Sequence, residues 1–414
     1  MRRITDLDQF PADLRRGAVT IGNFDGVHRG HARIVERLTE WARRVEGPAI
    51  AFTFDPPPAA LLRPESQPPP LTWLDRKADL LADLGLDALV VYPTDRELLS
   101  LDPREFFERI VVERLGARAL VEGPNFLFGR GRRGDIATLA GLCGERGLGF
   151  EVVEPLVDGG EMVSSSRVRQ AIQAGEVAAA ARMLTRPYRV RGTVVRGAAR
   201  GATIGFPTAN LTGIDTLLPT PGVYAGKAWL DGQSWSAAIH LGPIPTFQVV
   251  QAVLEVHLLD FQGDLYGRRL EVEWLDRVRG VEKFAGVEQL RAQLQKDIAK
   301  TRQIAADYDG ELLVVRLGES LRGREDLFRE FVRQLRFPGY FGWNWDAFEE
   351  CLRDLSWLPV NARVRIIDEG GALKAESKEA WETCRSILQD VAETWRSRGE
   401  RTVEWLENPR TTDF

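Results

Sequence analysis

The chain has 414 residues, 44% of them apolar, and a formal net charge of -5 at pH 7. Its length exceeds that of one ordinary hydrophobic core, so we predict two to four domains. Its three cysteines argue against a disulfide framework and a cysteine-rich metal site, and they favour a reducing compartment. Because we find no signal peptide and no apolar stretch long enough to span a bilayer, we expect a cytoplasmic protein whose partners include neither membranes nor nucleic acid.

The first predicted element is a strand that turns into a helix at residues 20–31, which read Thr-Ile-Gly-Asn-Phe-Asp-Gly-Val-His-Arg-Gly-His. The glycines permit a sharp turn, and apolar residues at helical spacing follow. Free amides and the positive end of the helix dipole favour phosphate at such a helix start. His28 and His31, three residues apart, project from one face of this turn and are suited to hold a triphosphate. A zinc site is the less favoured alternative, because it needs further ligands and Asp25 is the only nearby candidate.

Short apolar runs then alternate with helical stretches up to about Arg186. This alternation predicts a doubly wound, Rossmann-like α/β domain over residues 1–186. Its predicted strands are Ala49–Phe54, Ala88–Tyr92 and 119–121. The loop after each strand should lie at the carboxyl edge of the sheet, where open α/β folds bind their ligands. The proline-rich stretch 63–70 is either an ordered surface loop near the ligand or an inert connection.

Two later segments contain polar residues suited to a nucleotide. Residues 123–129 read Gly-Pro-Asn-Phe-Leu-Phe-Gly, and residues 163–169 read Val-Ser-Ser-Ser-Arg-Val-Arg at a predicted helix start, where serines often serve as caps. With the first motif, these segments resemble the FMN adenylyltransferase half of bifunctional riboflavin kinase/FAD synthetases. The resemblance implies transfer of AMP from ATP to FMN, with His28 and His31 as catalytic residues. It implies that ATP and FMN are bound by Gly22, Asn23, Phe24, Asp25, Gly26, Gly30, Asn125, Ser164, Ser165, Ser166 and Arg169.

After Arg186 the pattern changes to short alternating runs separated by Gly and Pro, which predicts a small β-barrel over residues 187–306. The predicted strands are 188–195, Gly222–Leu230, 235–240, 253–260 and 270–274. An amphipathic stretch at 287–304 is predicted to form a helix that closes this domain.

Residues 197–211 combine a glycine-rich arch with Pro-Thr-Ala-Asn, and residues 254–267 read Leu-Glu-Val-His-Leu-Leu-Asp-Phe-Gln-Gly-Asp-Leu-Tyr-Gly. The order of these segments resembles riboflavin kinase. The resemblance implies that Glu255 is the catalytic base and that Mg²⁺, which both reactions need, is held by oxygen atoms of Thr208 and Asn210. It implies that the ATP of this site is bound by Gly197, Arg200, Gly201, Thr208 and Asn210.

Three positions depart from the pattern of this family. Pro57 replaces a polar residue, His240 replaces the asparagine of an Asn-Ile-Gly segment, and Val281 replaces a glutamate. A regulatory or binding protein with a silenced flavin site is therefore an alternative. An adenylyltransferase for a pantetheine or nicotinate nucleotide is another, although the predicted barrel argues against it.

From Asp307 onward the chain is acidic, with 16 Lys and Arg against 22 Asp and Glu, and it holds six of the 11 tryptophans. Residues 337–355 run an aromatic loop into an acidic helix. This part resembles barstar, the ribonuclease inhibitor, through the string Tyr-Phe-Gly-Trp-Asn-Trp-Asp-Ala. The resemblance implies a short parallel sheet with flanking helices over 307–414, and a ribonuclease or other basic protein as partner of Asp346 and Glu350. The predicted elements are strands Leu312–Leu317, 360–368 and 402–406, and helices Arg324–Leu335 and Lys378–Arg398.

Overall fold

The computed structural model describes residues 1–66, 68–197, 200–243, 252–309, 312–318, 321, 323–338, 340–355, 357–358, 362–368, 378–398 and 403–407. The chain divides into two compact units, Met1–Arg302 and Gln303–Phe414. Within the segments predicted above, seven residues lie outside the described residues: Gln67, Ala198, Ala199, Gly339, Val360, Asn361 and Thr402. None of the described helices is both long and apolar enough to cross a membrane.

The first unit begins with a six-stranded sheet in which every neighbouring pair is parallel. Its strands are β1 Arg2–Ile4, β2 Ala18–Ile21, β3 Ala49–Phe54, β4 Ala88–Tyr92, β5 Ala119–Glu122 and β6 Gly149–Val152, in the order β1-β4-β3-β2-β5-β6. The predicted doubly wound α/β fold is confirmed. Strands β1 and β6 were not predicted, because both are short edge strands without the continuous apolar run that marks a buried strand.

Helices cover the sheet and link its strands. They are α1 Arg29–Arg44, α2 Pro58–Leu62, α3 Leu74–Asp83, α4 Arg96–Ser100, α5 Pro103–Phe106 (continued by a π-helical segment, Phe107–Arg114), α6 Ile136–Arg146, α7 Ser165–Ala174 and α8 Val177–Met183. In α1 the buried residues Val35, Leu38 and Ala42 recur at helical spacing and pack against the sheet. A two-stranded hairpin, β7 Val157–Asp158 with β8 Glu161–Met162, precedes α7.

The second part of this unit is a closed antiparallel barrel, as predicted. Its strands are β9 Arg189–Val195, β10 Ala209–Thr212, β11 Gly222–Leu230, β12 Gln233–Pro243, β13 Ala252–Leu258 and β14 Arg269–Arg279, in the order β10-β13-β12-β11-β14-β9. A short helix, α9 Arg200–Thr203, precedes β10, and the helix α10 Val287–Asp309 follows β14 and is longer than predicted. Strand β10 was not predicted, because it has only four residues, of which the first two, Ala209 and Asn210, belong to the Pro-Thr-Ala-Asn motif.

The sheet domain and the barrel pack as one unit. Residues of α7 and α8 share an apolar core with the barrel, in which Tyr188, Tyr224 and Trp274 are buried. The Leu217 amide donates to the Pro70 carbonyl at 3.0 Å, which ties the barrel to the end of the proline-rich stretch.

The second unit contains a three-stranded parallel sheet, β15 Leu312–Leu317, β16 Arg363–Asp368 and β17 Val403–Glu407, in that order. Its helices are α11 Arg324–Leu335, α12 Trp345–Asp354 and α13 Lys378–Arg398. Buried phenylalanines form its centre: the rings of Phe331 and Phe348 lie 4.8 Å apart, and those of Phe328 and Phe348 5.1 Å apart. The predicted parallel sheet with flanking helices is confirmed.

Candidate functional sites

The sheet of the first unit opens beside β2, where the order of its strands reverses. Strand β2 pairs with β3 over residues 18–21 but with β5 over residues 18–19 alone. Beyond that point the Glu122 carboxylate accepts the Ile21 amide at 2.7 Å in place of a backbone carbonyl. Burial raises the pKa of Glu122 well above its usual value. Reversal points of this kind are where open α/β sheets bind ligands.

The turn between β2 and α1 lies at this opening. Phe24, Gly26 and Val27 all have positive φ angles of 45°, 83° and 43°. Such angles are easy for glycine and costly for the other two residues, so the tertiary structure must hold them. Asn23 is exposed, whereas Gly22 approaches Phe24 so closely that an added Cβ would lie 3.3 Å from the ring.

His28 and His31 meet at the start of α1. The His28 ring caps the helix, because its Nδ1 accepts the His31 amide at 3.3 Å, and the two rings stack with centroids 3.6 Å apart. A Cβ at Gly30 would lie 3.0 Å from the His28 ring, so a larger residue here would press against that ring. Burial lowers the pKa of His28 from 6.5 to about 4 and that of His31 well below 6.5. Both imidazoles are therefore neutral at pH 7 in the ligand-free protein, and the buried Nδ1 of His31 has no hydrogen-bond partner among the residues that the structure describes.

Asp25 joins this turn to two distant segments. Its carboxylate forms an ion pair with Arg169 at 2.8 Å and accepts the amides of Leu71 and Thr72 at 2.9 and 3.2 Å. The Ser165 hydroxyl donates to the Asp25 carbonyl at 2.8 Å. The structure thus brings the motif at residues 20–31 together with the segment at residues 163–169.

The other predicted residues of this region are placed as follows. Ser164 caps α7 by accepting the Arg167 amide, and Arg169 also donates to the Pro69 carbonyl. Ser166 and Asn125 are exposed, and the Asn125 amide makes a long contact of 3.6 Å with the sulfur of Met162.

Lys77, on α3, was not singled out from the sequence. The residue is 6% exposed, and its ammonium has no hydrogen bond or ion pair with any residue that the structure describes. Burial lowers the pKa of Lys77, whereas the carboxylates of Asp25 and Asp55 act in the opposite direction. The charge of Lys77 also lowers the pKa of His31. A lysine on an apolar helix face, spaced with Leu74, Ala78 and Leu81, is the sequence feature that could have indicated it.

A second cluster of predicted residues lies on the barrel. Asn210 on β10 and Glu255 on β13 are direct cross-strand partners, and Glu255 is also paired with His240 on β12. Directly paired residues point to the same face of a sheet. Glu255 therefore stands between Asn210 and His240, and its carboxylate Oε2 lies 3.3 Å from Nδ1 of His240.

The glycine-rich arch approaches Thr208 and Asn210. A Cβ at Gly197 would lie 2.4 Å from the Asn210 amide nitrogen, and one at Gly201 would lie 2.3 Å from the Phe206 carbonyl oxygen. The absence of side chains on these glycines therefore creates the close approach. Arg200 begins α9, and its side chain lies outside the described residues.

His257 was not predicted as a site residue. It lies two residues after Glu255 on the same strand, and its Nδ1 donates to the Pro207 carbonyl at 2.7 Å. This bond holds β13 against the residue that precedes Thr208. The four histidines of the chain are therefore divided equally between the two clusters.

In the second unit, Asp346 and Glu350 lie on the exposed side of α12, and neither forms an ion pair with another described residue. Glu349, between them, is paired with Arg353 at 2.8 Å. Tyr340 and Trp343 nearby are 68% and 39% exposed, whereas Trp345 packs against Phe328 with centroids 5.0 Å apart. The surface formed by Tyr340, Trp343, Asp346 and Glu350 is called the acidic aromatic face below.

Three family models match this chain: FAD synthetase over residues 10–167, riboflavin kinase over 184–305 and barstar (barnase inhibitor) over 312–406. The chain is 38% identical over 307 residues to a bifunctional riboflavin kinase/FMN adenylyltransferase of Pseudomonas fluorescens, covering 74% of this chain and 98% of the relative. It is 36% identical over 305 residues to the protein of the same description from Escherichia coli strain K12, covering 73% and 96%. A crystal structure described as a macrolide-efflux protein from Streptococcus pneumoniae is 31% identical, with a TM-score of 0.66, and covers 72% of this chain and 98% of that one.

Proposed function

The chain belongs to the family of bifunctional riboflavin kinase/FMN adenylyltransferases, and we propose that its two reactions occur at the two clusters of the first unit. One reaction phosphorylates riboflavin to FMN, and the other transfers AMP from a second ATP to FMN. The observation that carries this assignment is that residues of separate motif segments meet in each cluster, Asp25 with Arg169 and Ser165 in one and Asn210 with Glu255 in the other, and that the clusters share no residue. We propose 1–186, 187–306 and 307–414 as the corresponding domains.

In adenylyl transfer, a phosphate oxygen of FMN attacks the α-phosphorus of ATP, and the bond to the bridging oxygen breaks to release pyrophosphate. His28 and His31 act by donating hydrogen bonds to the phosphates, a role that a neutral imidazole can fill, and burial lowers the pKa of both rings in the ligand-free protein. The free amides at the start of α1 add to this stabilisation. Catalysis consists of positioning and electrostatics, with no covalent enzyme intermediate.

The positive charge in this site comes from Lys77 in our proposal. The charge of Arg169 is balanced by Asp25, and burial lowers the pKa of the two imidazoles, whereas the ammonium of Lys77, a largely buried residue, has no ion pair among the described residues. Negative charge that develops on the leaving pyrophosphate would pair with the ammonium of Lys77. Asp25, by contrast, is a positioning residue, since it holds the loop before α3 and thus the first turn that carries Lys77.

Replacing Lys77 with methionine, which is similar in length and suits an apolar helix face, is expected to slow FAD formation from FMN by about 10- to 100-fold. This range corresponds to loss of one hydrogen bond to a charged group, about 1.5–3 kcal/mol. The measurement is pyrophosphate release with FMN as substrate. Lys300→Met, at an exposed position on α10, is the matched control for charge. FAD formation at the parental rate in Lys77→Met would exclude Lys77 from phosphate binding.

In the kinase reaction, Glu255 accepts the proton of the ribityl 5′-hydroxyl as that oxygen attacks the γ-phosphorus, and ADP leaves. The partly buried oxygens of Thr208 and Asn210, beside the glycine-rich arch, fit Mg²⁺, which prefers oxygen ligands. Among the described residues, no group of three or more His, Cys, Asp or Glu could hold a metal. Thr208 and Asn210 would hold Mg²⁺ together with the phosphates of ATP. When bound with ATP, Mg²⁺ neutralises charge on the phosphates.

The test of both assignments incubates purified protein with ATP, Mg²⁺ and either riboflavin or FMN, and separates the three flavins. Riboflavin should yield FMN and then FAD, whereas FMN should yield FAD directly. Failure of either conversion in the parental protein would favour the alternative of a silenced site.

For the second unit, we propose binding of a basic protein, with a ribonuclease of the barnase type as the first candidate. The acidic aromatic face supports this, because it offers two carboxylates without ion pairs among the described residues beside two exposed rings. Complementary charge speeds association and selects the partner; barnase with barstar is the standard measured example.

The double replacement Asp346→Ala/Glu350→Ala is expected to weaken binding of such a ribonuclease to the full chain by at least tenfold at low salt. Raising the salt concentration should weaken binding to the parental chain more than to the variant, because exposed charges are screened. The measurement is inhibition of ribonuclease activity by increasing amounts of protein. Asp390→Ala/Glu393→Ala on α13 removes the same charge from exposed positions elsewhere and should bind normally. No inhibition by the parental chain at low salt would overturn the ribonuclease proposal.

A further inference from the structure

His240 is the position where this chain departs from the riboflavin kinase pattern at the barrel cluster. The strand register pairs it with Glu255 on one side and with Val223 of β11 on the other. Beyond Val223 the row of paired residues reaches Arg279, whose guanidinium is held 2.8 Å from the buried carboxylate of Asp297. The charge of Arg279 is thus paired with Asp297 on α10, and among the described residues Glu255 is the charged group that directly faces His240.

The orientation of the imidazole is set on two sides. Its Nδ1 lies 3.3 Å from Oε2 of Glu255, and since a carboxylate oxygen accepts, Nδ1 is the donor. On its other side the ring lies over Gly242, where an added Cβ would be 2.8 Å from Cε1 and 3.0 Å from Nε2. The ring therefore occupies space that exists because residue 242 is glycine.

We infer that His240 is a positioning residue for the kinase reaction, which holds one carboxylate oxygen of Glu255 and thereby aims the other at the ribityl hydroxyl. The inference rests on the proposed role of Glu255 as the base. Glu255 is 37% and His240 44% exposed at the side chain, so neither is held by burial. A carboxylate on an open barrel face samples several rotamers, and one fixed hydrogen bond removes most of that freedom. The proton of His240 stays on Nδ1 throughout, while Oε1 of Glu255 takes the hydroxyl proton as the new bond to the γ-phosphorus forms.

The experiment measures the kinase rate of the full-length protein at saturating substrate, with the KM for riboflavin and ATP. His240→Leu should lower kcat about 10-fold and change either KM less than twofold, because an aimed base acts in the transition state and not in substrate binding. His240→Asn, which supplies an amide donor, should recover part of the lost rate. Gly242→Ala should lower kcat like His240→Leu while leaving the imidazole in the chain. FAD formation from FMN should be unchanged in all three, which shows that the α/β domain folds, and the unchanged KM values for riboflavin and ATP show the same for the barrel.

A double variant separates this inference from the role of Glu255. Glu255→Gln/His240→Leu should be no slower than Glu255→Gln, because a residue that acts through the base has no effect once the base is absent. Full kinase activity in His240→Leu, together with a slow Glu255→Gln, would overturn the positioning role and retain the base. Full activity in Glu255→Gln would overturn the base itself. Additive losses in the double variant would show that His240 acts independently of Glu255.

Discussion

Replacing Glu255 with glutamine is expected to slow phosphorylation of riboflavin by about 10²- to 10⁴-fold, the usual contribution of a general base. Glutamine matches glutamate in size, and its side-chain carbonyl can still accept the hydrogen bond from His240, so the contact between β12 and β13 at this position should remain. An amide, however, cannot take the proton of the 5′-hydroxyl. The KM values for ATP and riboflavin should therefore stay near the parental values while kcat falls.

The measurement is FMN formation from riboflavin, with FAD formation from supplied FMN as an internal control. Glu271→Gln makes the same chemical change on β14, where Glu271 is paired with Arg189 at 3.0 Å, and should leave the kinase rate nearly unchanged. Turnover of Glu255→Gln at the parental rate would remove Glu255 from the mechanism.

Replacing His31 with alanine is expected to have the reciprocal effect, a loss of about 10²- to 10³-fold in FAD formation, as for removal of one preorganised hydrogen-bond donor. The substitution should spare the helix start, because the bond that caps α1 uses the backbone amide of residue 31 and the ring of His28. His31 is therefore a cleaner target than His28, whose loss would also remove the cap.

The measurement is pyrophosphate release from ATP and FMN, and riboflavin phosphorylation is the control that should remain unchanged. His31→Gln, which keeps a side-chain donor, should lose less activity than His31→Ala. If both activities fell together in His31→Ala, the assignment of two separate sites would be wrong.

Local spacing was sufficient to predict the α/β sheet and the barrel of the first unit. The alternation of apolar runs and helical stretches predicted the α/β sheet, and short alternating runs predicted the barrel, because periods of two and 3.6 residues are local properties of the chain. The small parallel sheet of the second unit was inferred from the resemblance to barstar. The motif at residues 20–31 indicated a phosphate-binding helix start for the same reason. Short strands such as β1 and β10 escaped prediction, because three or four residues are too few to show a period.

Local spacing could not predict which distant residues contact each site residue. Asp25 pairs with Arg169, 144 residues later, and Glu255 meets His240 through a cross-strand register. Lys77 enters the first cluster because the loop before α3 is bound to Asp25. Such contacts depend on how distant segments pack, which no pattern within one segment specifies.

The sequence by itself determined which residue types are available to bind phosphate and on which elements they lie. Turns, helix caps and strand periods depend on residues that are neighbours in the chain. The tertiary structure alone decided their chemical state. The pKa values of His28 and His31 are lowered because surrounding residues exclude water from the rings. Arg169 keeps its charge, which is paired because folding brings the Asp25 carboxylate within 2.8 Å. Protonation and pairing are set by burial and by non-local charge, and both exist only once the chain has folded.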